Sequence, residues 1–361
     1  LVPQLPIQLD SQLRIVSQPV FWRRQPQPCI GRRLLCWHRR RFNGHLVDVE
    51  VTMIRIAFYS AGDSWDHWAQ RLAPHLPSIA FVDLMSDDAM KADIALVWAP
   101  PTGRLAALPN LRGIIMQGQG VDHVMADASV PRDIPLVRLV DPDMSVALSH
   151  WAILAALDFW RDGPYYRTQQ AQKIWAPKPQ RPAQGGIVGV MGVGAIGSVI
   201  AARFAALGFR VKGWARTPRQ LDSVVVYAGM DELGNFLQDV QILVSVLPLT
   251  PDTRGIMNAD LFAKLAPGAC VINGGRGPQI VNQDLLAALD SGQVGAAVLD
   301  VFETEPLPEA HAFWSHDKIT VWPHVAAQTN PETAAHQVAA AITAIMAGQT
   351  PANQVDWQRG Y

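Results

Sequence analysis

The sequence predicts an α/β protein made of two doubly wound parallel-sheet domains, and three observations carry that prediction. Its 361 residues are enough for two domains that each bury a core. Short apolar runs of strand length alternate with helical or loop stretches from Ile54 to Trp322. One such run, Ile187–Met191, leads into Gly192-Val193-Gly194-Ala195-Ile196-Gly197 and then a helix-like stretch ending at Leu207.

Composition narrows the partner. Apolar residues at 49%, charged residues at 17% and a formal net charge of -1 exclude a disordered chain and a polyelectrolyte partner, which leaves a small molecule. Residues 1–52 hold eight arginines, no lysine and three acids, so Met53 onward carries 22 basic and 28 acidic residues and is not expected to bind nucleic acid. Cys29, Cys36 and Cys270 are too few for a disulfide framework, and a reducing cytoplasm is the expected location. Residues 185–202 form an uncharged 18-residue span, but its six glycines read as strand, turn and helix start, so no membrane association is expected.

In chain order, residues 1–52 show no sustained period and read as a non-native or disordered extension, with Met53 as the expected native start. Strand-like runs at 54–59, 79–84, 94–98, 113–117 and 136–140 then build a first, flavodoxin-like domain. Residues 145–160 read as a helix with a broad apolar face, and 163–182 as a polar, proline-punctuated connection. Six strands follow, at 187–191, 209–214, 242–246, 269–273, 296–301 and 319–322, and a helix over 332–346 could return to the first domain. The expected division is a substrate domain at 53–145 and 329–361 and a Rossmann coenzyme domain at 146–328.

The glycine run has the strand–turn–helix context of a dinucleotide site. Gly192 permits the tight turn, Gly194 lets the backbone approach a pyrophosphate, and Gly197 lets helix and strand pack closely. The second strand ends Trp214-Ala215-Arg216-Thr217-Pro218-Arg219, without the acid that would bond a ribose 2′-hydroxyl. Arg216, Thr217 and Arg219 instead supply donors for a 2′-phosphate, so NADP(H) is expected over NAD(H).

Three later segments end strands where open sheets bind ligands: 273–277 with Arg276, 299–306 with Glu305, and 323–327 with His324. Reduction of a 2-keto acid needs a cation for carboxylate and carbonyl, an acid for the developing alkoxide, and a carboxylate to keep that acid protonated. Arg276, His324 and Glu305 match those needs in turn. No metal site is expected.

Across Ile54 to Tyr361 the sequence resembles the D-2-hydroxyacid dehydrogenase family, and within it the glyoxylate/hydroxypyruvate reductase A branch. The resemblance rests on residues 96–101, 118–122, the glycine run, 214–216, 247–253, 273–277, 299–308, 323–327 and 354–361. It implies catalytic Arg276, Glu305 and His324. It also implies a coenzyme site with Gly192, Gly194, Ala195, Ile196, Gly197, Arg216, Thr217, Arg219, Leu247, Pro248, Thr253, Gly274 and Ala326, in which Asp300 meets the nicotinamide carboxamide. The backbone N–H groups of Gln119, Gly120 and Val121 would cradle the substrate carboxylate, with Trp98 lining the pocket. His123 and His150 read as structural or core histidines. Ala215 departs from the Ser frequent in this branch, which puts more weight on the arginines.

The expected activity is NADPH-dependent reduction of glyoxylate to glycolate and hydroxypyruvate to D-glycerate by a homodimer. Competing readings are a reductase of bulkier 2-keto acids, a phosphite-oxidising enzyme or a formate-oxidising one, of which Glu305 argues against the formate type because that type carries Gln there, and a nucleotide-sensing, co-repressor-like binding protein.

Overall fold

The computed structural model describes residues 35–42, 45–60 and 62–360, in two units, Leu1–Thr52 and Met53–Tyr361. In the first unit, β1 (Leu35–Phe42) and β2 (His45–Thr52) pair antiparallel, with Phe42 opposite His45. This corrects the expectation of a stretch without regular structure for those residues; residues 1–34 lie outside the described ones. The physical reason is that Arg39-Arg40-Arg41 mask any alternation in β1, whereas ladder hydrogen bonds are made by the backbone of any residue. A signal does exist in the sequence, because Val47, Val49 and Val51 alternate with polar residues.

The second unit holds two parallel sheets. The smaller contains β3 (Ile54–Tyr59), β4 (Ile79–Asp83), β5 (Ile94–Val97), β6 (Gly113–Met116) and β7 (Leu136–Val137), in the order β4-β3-β5-β6-β7. That is the flavodoxin-like order, with its switch point between β3 and β5. The larger contains β8 (Ile187–Met191), β9 (Arg210–Ala215), β10 (Val224–Ala228), β11 (Ile242–Ser245), β12 (Ala269–Asn273), β13 (Val294–Leu299) and β14 (Ile319–Val321). Its order, β10-β9-β8-β11-β12-β13-β14, is the Rossmann arrangement extended by one strand. Every residue of β5, β8, β11 and β12 is buried, because helices or loops cover both faces, and such strands read as unbroken apolar runs.

The helices are α1 (Trp65–Leu72), α2 (Asp122–Ala126), α3 (Pro142–Trp160), α4 (Gly163–Gln172), α5 (Ala195–Ala206), α6 (Leu233–Leu237), α7 (Ala259–Phe262), α8 (Asn282–Ser291) and α9 (Pro331–Met346). Leu148, Trp151 and Ala152 of α3 pack with Ile200, Ala201 and Phe204 of α5 over Val188 and Val190 of β8. Each large side chain so buried stabilises the fold by about 1.5–3 kcal/mol. Val338, Ile342 and Ile345 of α9 pack with Trp68 and Leu72 of α1 on Ile56 and Ile94, so the C-terminal helix does cover the smaller sheet.

Two readings of the sequence need correction. The second sheet has seven strands rather than six. Eight helix-free residues separate β9 from β10, so the strand–helix rhythm never announces β10. The connection at 163–182 begins with α4, whose Gly163-Pro164 start looks like a turn in sequence although proline is favoured in a helix's first turn.

Candidate active site

The loop after β8 makes one wall of a cleft of about 640 Å³ between the two sheets. Gly192 turns the chain with φ 93°, and its N–H donates to the Trp214 carbonyl of β9 at 2.9 Å. A Cβ on Gly197 would lie 2.0 Å from the Gly192 carbonyl oxygen, so only glycine lets α5 start this close to the turn. A Cβ on Gly194 would meet nothing within 4 Å, which leaves that backbone open to the cleft beside the N-terminus of α5. These features fit a dinucleotide pyrophosphate, and the volume is that of a small-molecule site.

Most residues expected at the coenzyme line this cleft: Gly192, Gly194, Ala195, Ile196, Gly197, Arg216, Thr217, Arg219, Leu247, Pro248, Thr253 and Gly274. Gln119, Gly120, Val121 and Arg276 share it. Arg216 and Thr217 are exposed just beyond β9, whereas Arg219 turns one guanidinium N–H to the Val193 carbonyl and so also supports the glycine loop. Thr253 Oγ1 donates to the Pro248 carbonyl at 2.7 Å and accepts from Thr250 N–H at 2.8 Å, which shapes the loop after β11. Arg138 and Gly360, which the sequence did not single out, add walls from the smaller sheet's side.

Trp98, Asp300, Glu305, His324 and Ala326 lie outside that lining. Asp300 is 2% exposed, and its Oδ1 accepts N–H from Val325 at 2.8 Å and Ala326 at 3.0 Å. Its carbonyl accepts the His324 N–H at 2.9 Å, while His324 itself sits at φ 55°. Asp300 thus folds the loop that presents His324. Burial pushes its carboxyl up to about 6, although the two N–H donors oppose the rise.

His324 Nδ1 lies 2.7 Å from Glu305 Oε2. An ionised carboxylate can only accept, so Nδ1–H donates and Nε2 is left to face a ligand. Glu305 Oε1 accepts the Phe302 N–H at 2.9 Å. Burial raises the Glu305 pKa, but the His324 hydrogen bond, the Phe302 N–H and the Arg276 charge outweigh it and hold the carboxyl below its ordinary range.

Arg276 follows β12. Its Nε donates to Asp122 Oδ1 at 2.9 Å and its Nη1 to the Gly275 carbonyl at 2.8 Å. A Cβ on Gly120 would fall 1.5 Å from Nη2, so that glycine is what admits the guanidinium. The Trp98 ring lies 5.9 Å from the guanidinium and 5.6 Å, edge to face, from the His123 ring. His123 and His150 are both exposed, so neither is a core histidine, because α2 and α3 bury other faces; the ring contact with Trp98 is compatible with a structural part for His123. Asp122, Asn273 and Gln279 carry no role in the sequence reading, yet all three bond to Arg276 or its peptide groups. For Asp122 the clue in sequence is its place directly after Gly118–Val121.

Residues 153–326 match the family described as D-isomer specific 2-hydroxyacid dehydrogenase, NAD binding domain. Glyoxylate/hydroxypyruvate reductase A of Yersinia enterocolitica is 40% identical over 313 residues, covering 85% of this chain and all of the relative. The chain belongs to the D-2-hydroxyacid dehydrogenase family. A family member from Xanthobacter autotrophicus Py2, solved with NADPH and MES, matches 86% of this chain and all of its own with TM-score 0.81 and 40% identity. The NADPH-dependent glyoxylate/hydroxypyruvate reductase of Sinorhizobium meliloti, solved with NADP and sulfate, matches 85% of this chain and all of its own with TM-score 0.79 and 34% identity. The family resemblance and the two-sheet fold read from the sequence are thereby borne out.

Proposed function

We propose that this D-2-hydroxyacid dehydrogenase reduces small 2-keto acids with NADPH, converting glyoxylate to glycolate and hydroxypyruvate to D-glycerate. The observation that carries the reading is the Glu305–His324 hydrogen bond at 2.7 Å, within electrostatic reach of Arg276 beside a cleft that fits a dinucleotide. Relatives named for these two substrates and solved with NADPH or NADP support it.

The nicotinamide, when bound, supplies the hydride. Gly192 and Gly194 would hold the pyrophosphate, with Gly197 letting α5 start beside them, Arg216, Thr217 and Arg219 would hold the 2′-phosphate, and Leu247, Pro248, Thr253 and Gly274 would shape the rest of the coenzyme's bed. Asp300 stands for the carboxamide side, and it already orders the His324 loop. Arg276, with two of its N–H groups occupied, turns the remaining donors to the substrate's carboxylate and carbonyl, where it stabilises charge gathering on oxygen. Gln119, Gly120 and Val121 offer N–H groups to the same carboxylate, and Trp98 bounds the pocket. His324 gives the Nε2 proton to that oxygen, and Glu305 stabilises the imidazolium and fixes the ring.

The domain division at 53–145 with 329–361 and at 146–328 is part of the same proposal, as is a cytoplasmic location; among the described residues no helix is long and apolar enough to cross a membrane. So is a homodimer through α3 and the arm after it, where Leu154, Tyr166, Ile174 and Trp175 are exposed. The deciding experiment follows NADPH oxidation with no acceptor, with glyoxylate, with hydroxypyruvate and with a branched 2-keto acid. Turnover confined to the small acids is expected. Coenzyme binding without turnover would replace the reductase by a nucleotide-sensing protein, and light scattering of a monomeric mass would remove the dimer.

A further inference from the structure

Gln279 is fully buried and faces neither solvent nor cleft, yet each polar atom of its side chain is bonded. Nε2 donates to the carbonyls of Leu247 at 2.9 Å and Pro248 at 3.1 Å, and Oε1 accepts the Arg276 N–H at 3.1 Å. Leu247 and Pro248 form part of the coenzyme wall, and Arg276 is the cation assigned to the substrate. One amide therefore spans the two. Gly275 permits the approach, because a Cβ there would lie 2.6 Å from Gln279 Oε1 and 2.9 Å from the Leu247 carbonyl. From the other side, Asn273 Nδ2 donates to the Arg276 carbonyl at 3.1 Å and its Oδ1 accepts the Gly275 N–H at 3.1 Å. Two buried amides thus fix both peptide groups of Arg276.

Support of the fold alone does not call for this arrangement. The strands that carry these loops are already joined through Ser245 opposite Asn273 and by the Gly274 N–H donating to the Ser245 carbonyl at 3.0 Å. Gln279 adds its link beyond the strand ends, where both ligands would bind. A buried amide with all its bonds made is rigid, and shifting either loop leaves a carbonyl or an N–H unpaired in a site closed to water.

We propose that Gln279 is a positioning residue that couples the Leu247–Pro248 wall to Arg276, so that coenzyme and 2-keto acid each tighten the binding of the other. The proposal rests on the function assigned above. By linkage, a wall held by coenzyme fixes the Arg276 peptide, and substrate on Arg276 fixes the wall by the same factor.

The test measures NADPH binding by coenzyme fluorescence, and binding of oxamate, a non-reducible analogue of a 2-keto acid, with and without NADPH. In Gln279→Leu the enhancement of oxamate binding by NADPH should fall by about 5-fold or more, the lower end of ordinary coupling. Gln279→Glu keeps the acceptor for the Arg276 N–H but sets a carboxylate against two carbonyl oxygens; protonation restores one donor. Its coupling should therefore be weak near pH 8 and recover toward about pH 5. Taking each value relative to the unsubstituted chain at the same pH removes the titration of every other group.

Coupling unchanged in the folded variants overturns the proposal, and so does a loss in Gln279→Glu that is the same at every pH, which would mark mere fold support. If Gln279→Leu does not fold, the protonated Glu variant, close to the amide in shape, decides. An unsubstituted chain that binds NADPH but turns over no 2-keto acid defeats the assigned function instead, while the binding arms still decide the role of Gln279.

Discussion

The glycine loop after β8 and the His324 loop after β14 both leave the C-terminal edge of one parallel sheet, but they are held in opposite ways. The first is shaped by the absence of side chains: Gly192 takes a positive φ, and Gly197 admits a carbonyl oxygen where a Cβ would sit. The second is shaped by a buried side chain, since Asp300 gathers the N–H groups of Val325 and Ala326 while its carbonyl takes that of His324. A loop that binds an anion through its backbone needs no titratable support. A loop that must present one imidazole in one direction needs a scaffold, and here that scaffold is itself ionisable.

The comparison breaks most visibly at His324. His324→Ala should lower kcat for glyoxylate by about 10²- to 10⁴-fold and leave NADPH affinity within about twofold of the parent, because the glycine loop does not depend on it. Steady-state kinetics alongside coenzyme titration would check both halves, and a large loss of coenzyme affinity would show that the loops are not independent.

Asp300→Asn asks what the buried scaffold contributes. Asn keeps an oxygen for both N–H donors but cannot titrate. The native carboxyl has a pKa of about 6 against 3.8 unfolded, so the folded state binds more protons between those values. Its stabilising contribution is full below about pH 4 and is lost as pH rises through about 6, a swing of about 3 kcal/mol. Urea unfolding should therefore show the Asn variant gaining on the parent from about pH 4 to about pH 7. A constant difference across that range would mean that Asp300 does not titrate there.

On the coenzyme side, Arg216→Ala should weaken NADPH by about 10- to 150-fold, equivalent to one charge-assisted bond of about 1.5–3 kcal/mol, with little change for NADH. Equal weakening of both coenzymes would assign the arginine to fold support.

The smallest expected effect belongs to Glu305→Gln, which keeps shape and removes charge. The variant should lower kcat/KM for glyoxylate by about 5-fold, because a charge-assisted hydrogen bond to the imidazole becomes a neutral one weaker by about 1 kcal/mol. The depressed Glu305 pKa also means that its contribution to stability is present above the ordinary carboxylate range and is lost as acid protonates it, so the variant should be less sensitive to acid than the parent. An unchanged kcat/KM in the variant, with chemistry limiting, would break the Glu305–His324 pairing.

The sequence by itself determined what depends on neighbours along the chain. Glycines at fixed spacing after an apolar run dictate a tight turn and a helix start, buried parallel strands dictate unbroken apolar runs, and Arg216 in place of an acid sets the charge at the end of β9. Arg276, Glu305 and His324 were legible because each closely follows a strand, and strand ends are where such sheets bind ligands. Only the tertiary structure decided which side chains hold these three. Asp122 reaches Arg276 from 154 positions away, Gln279 bonds the Leu247 carbonyl across 32, and Asp300 Oδ1 takes the backbone N–H groups of Val325 and Ala326 from 25 and 26 positions away. An Asp or a Gln has the same donors and acceptors wherever it stands in a chain. Its partner is chosen by which backbone groups folding leaves unpaired nearby, and no local spacing encodes that.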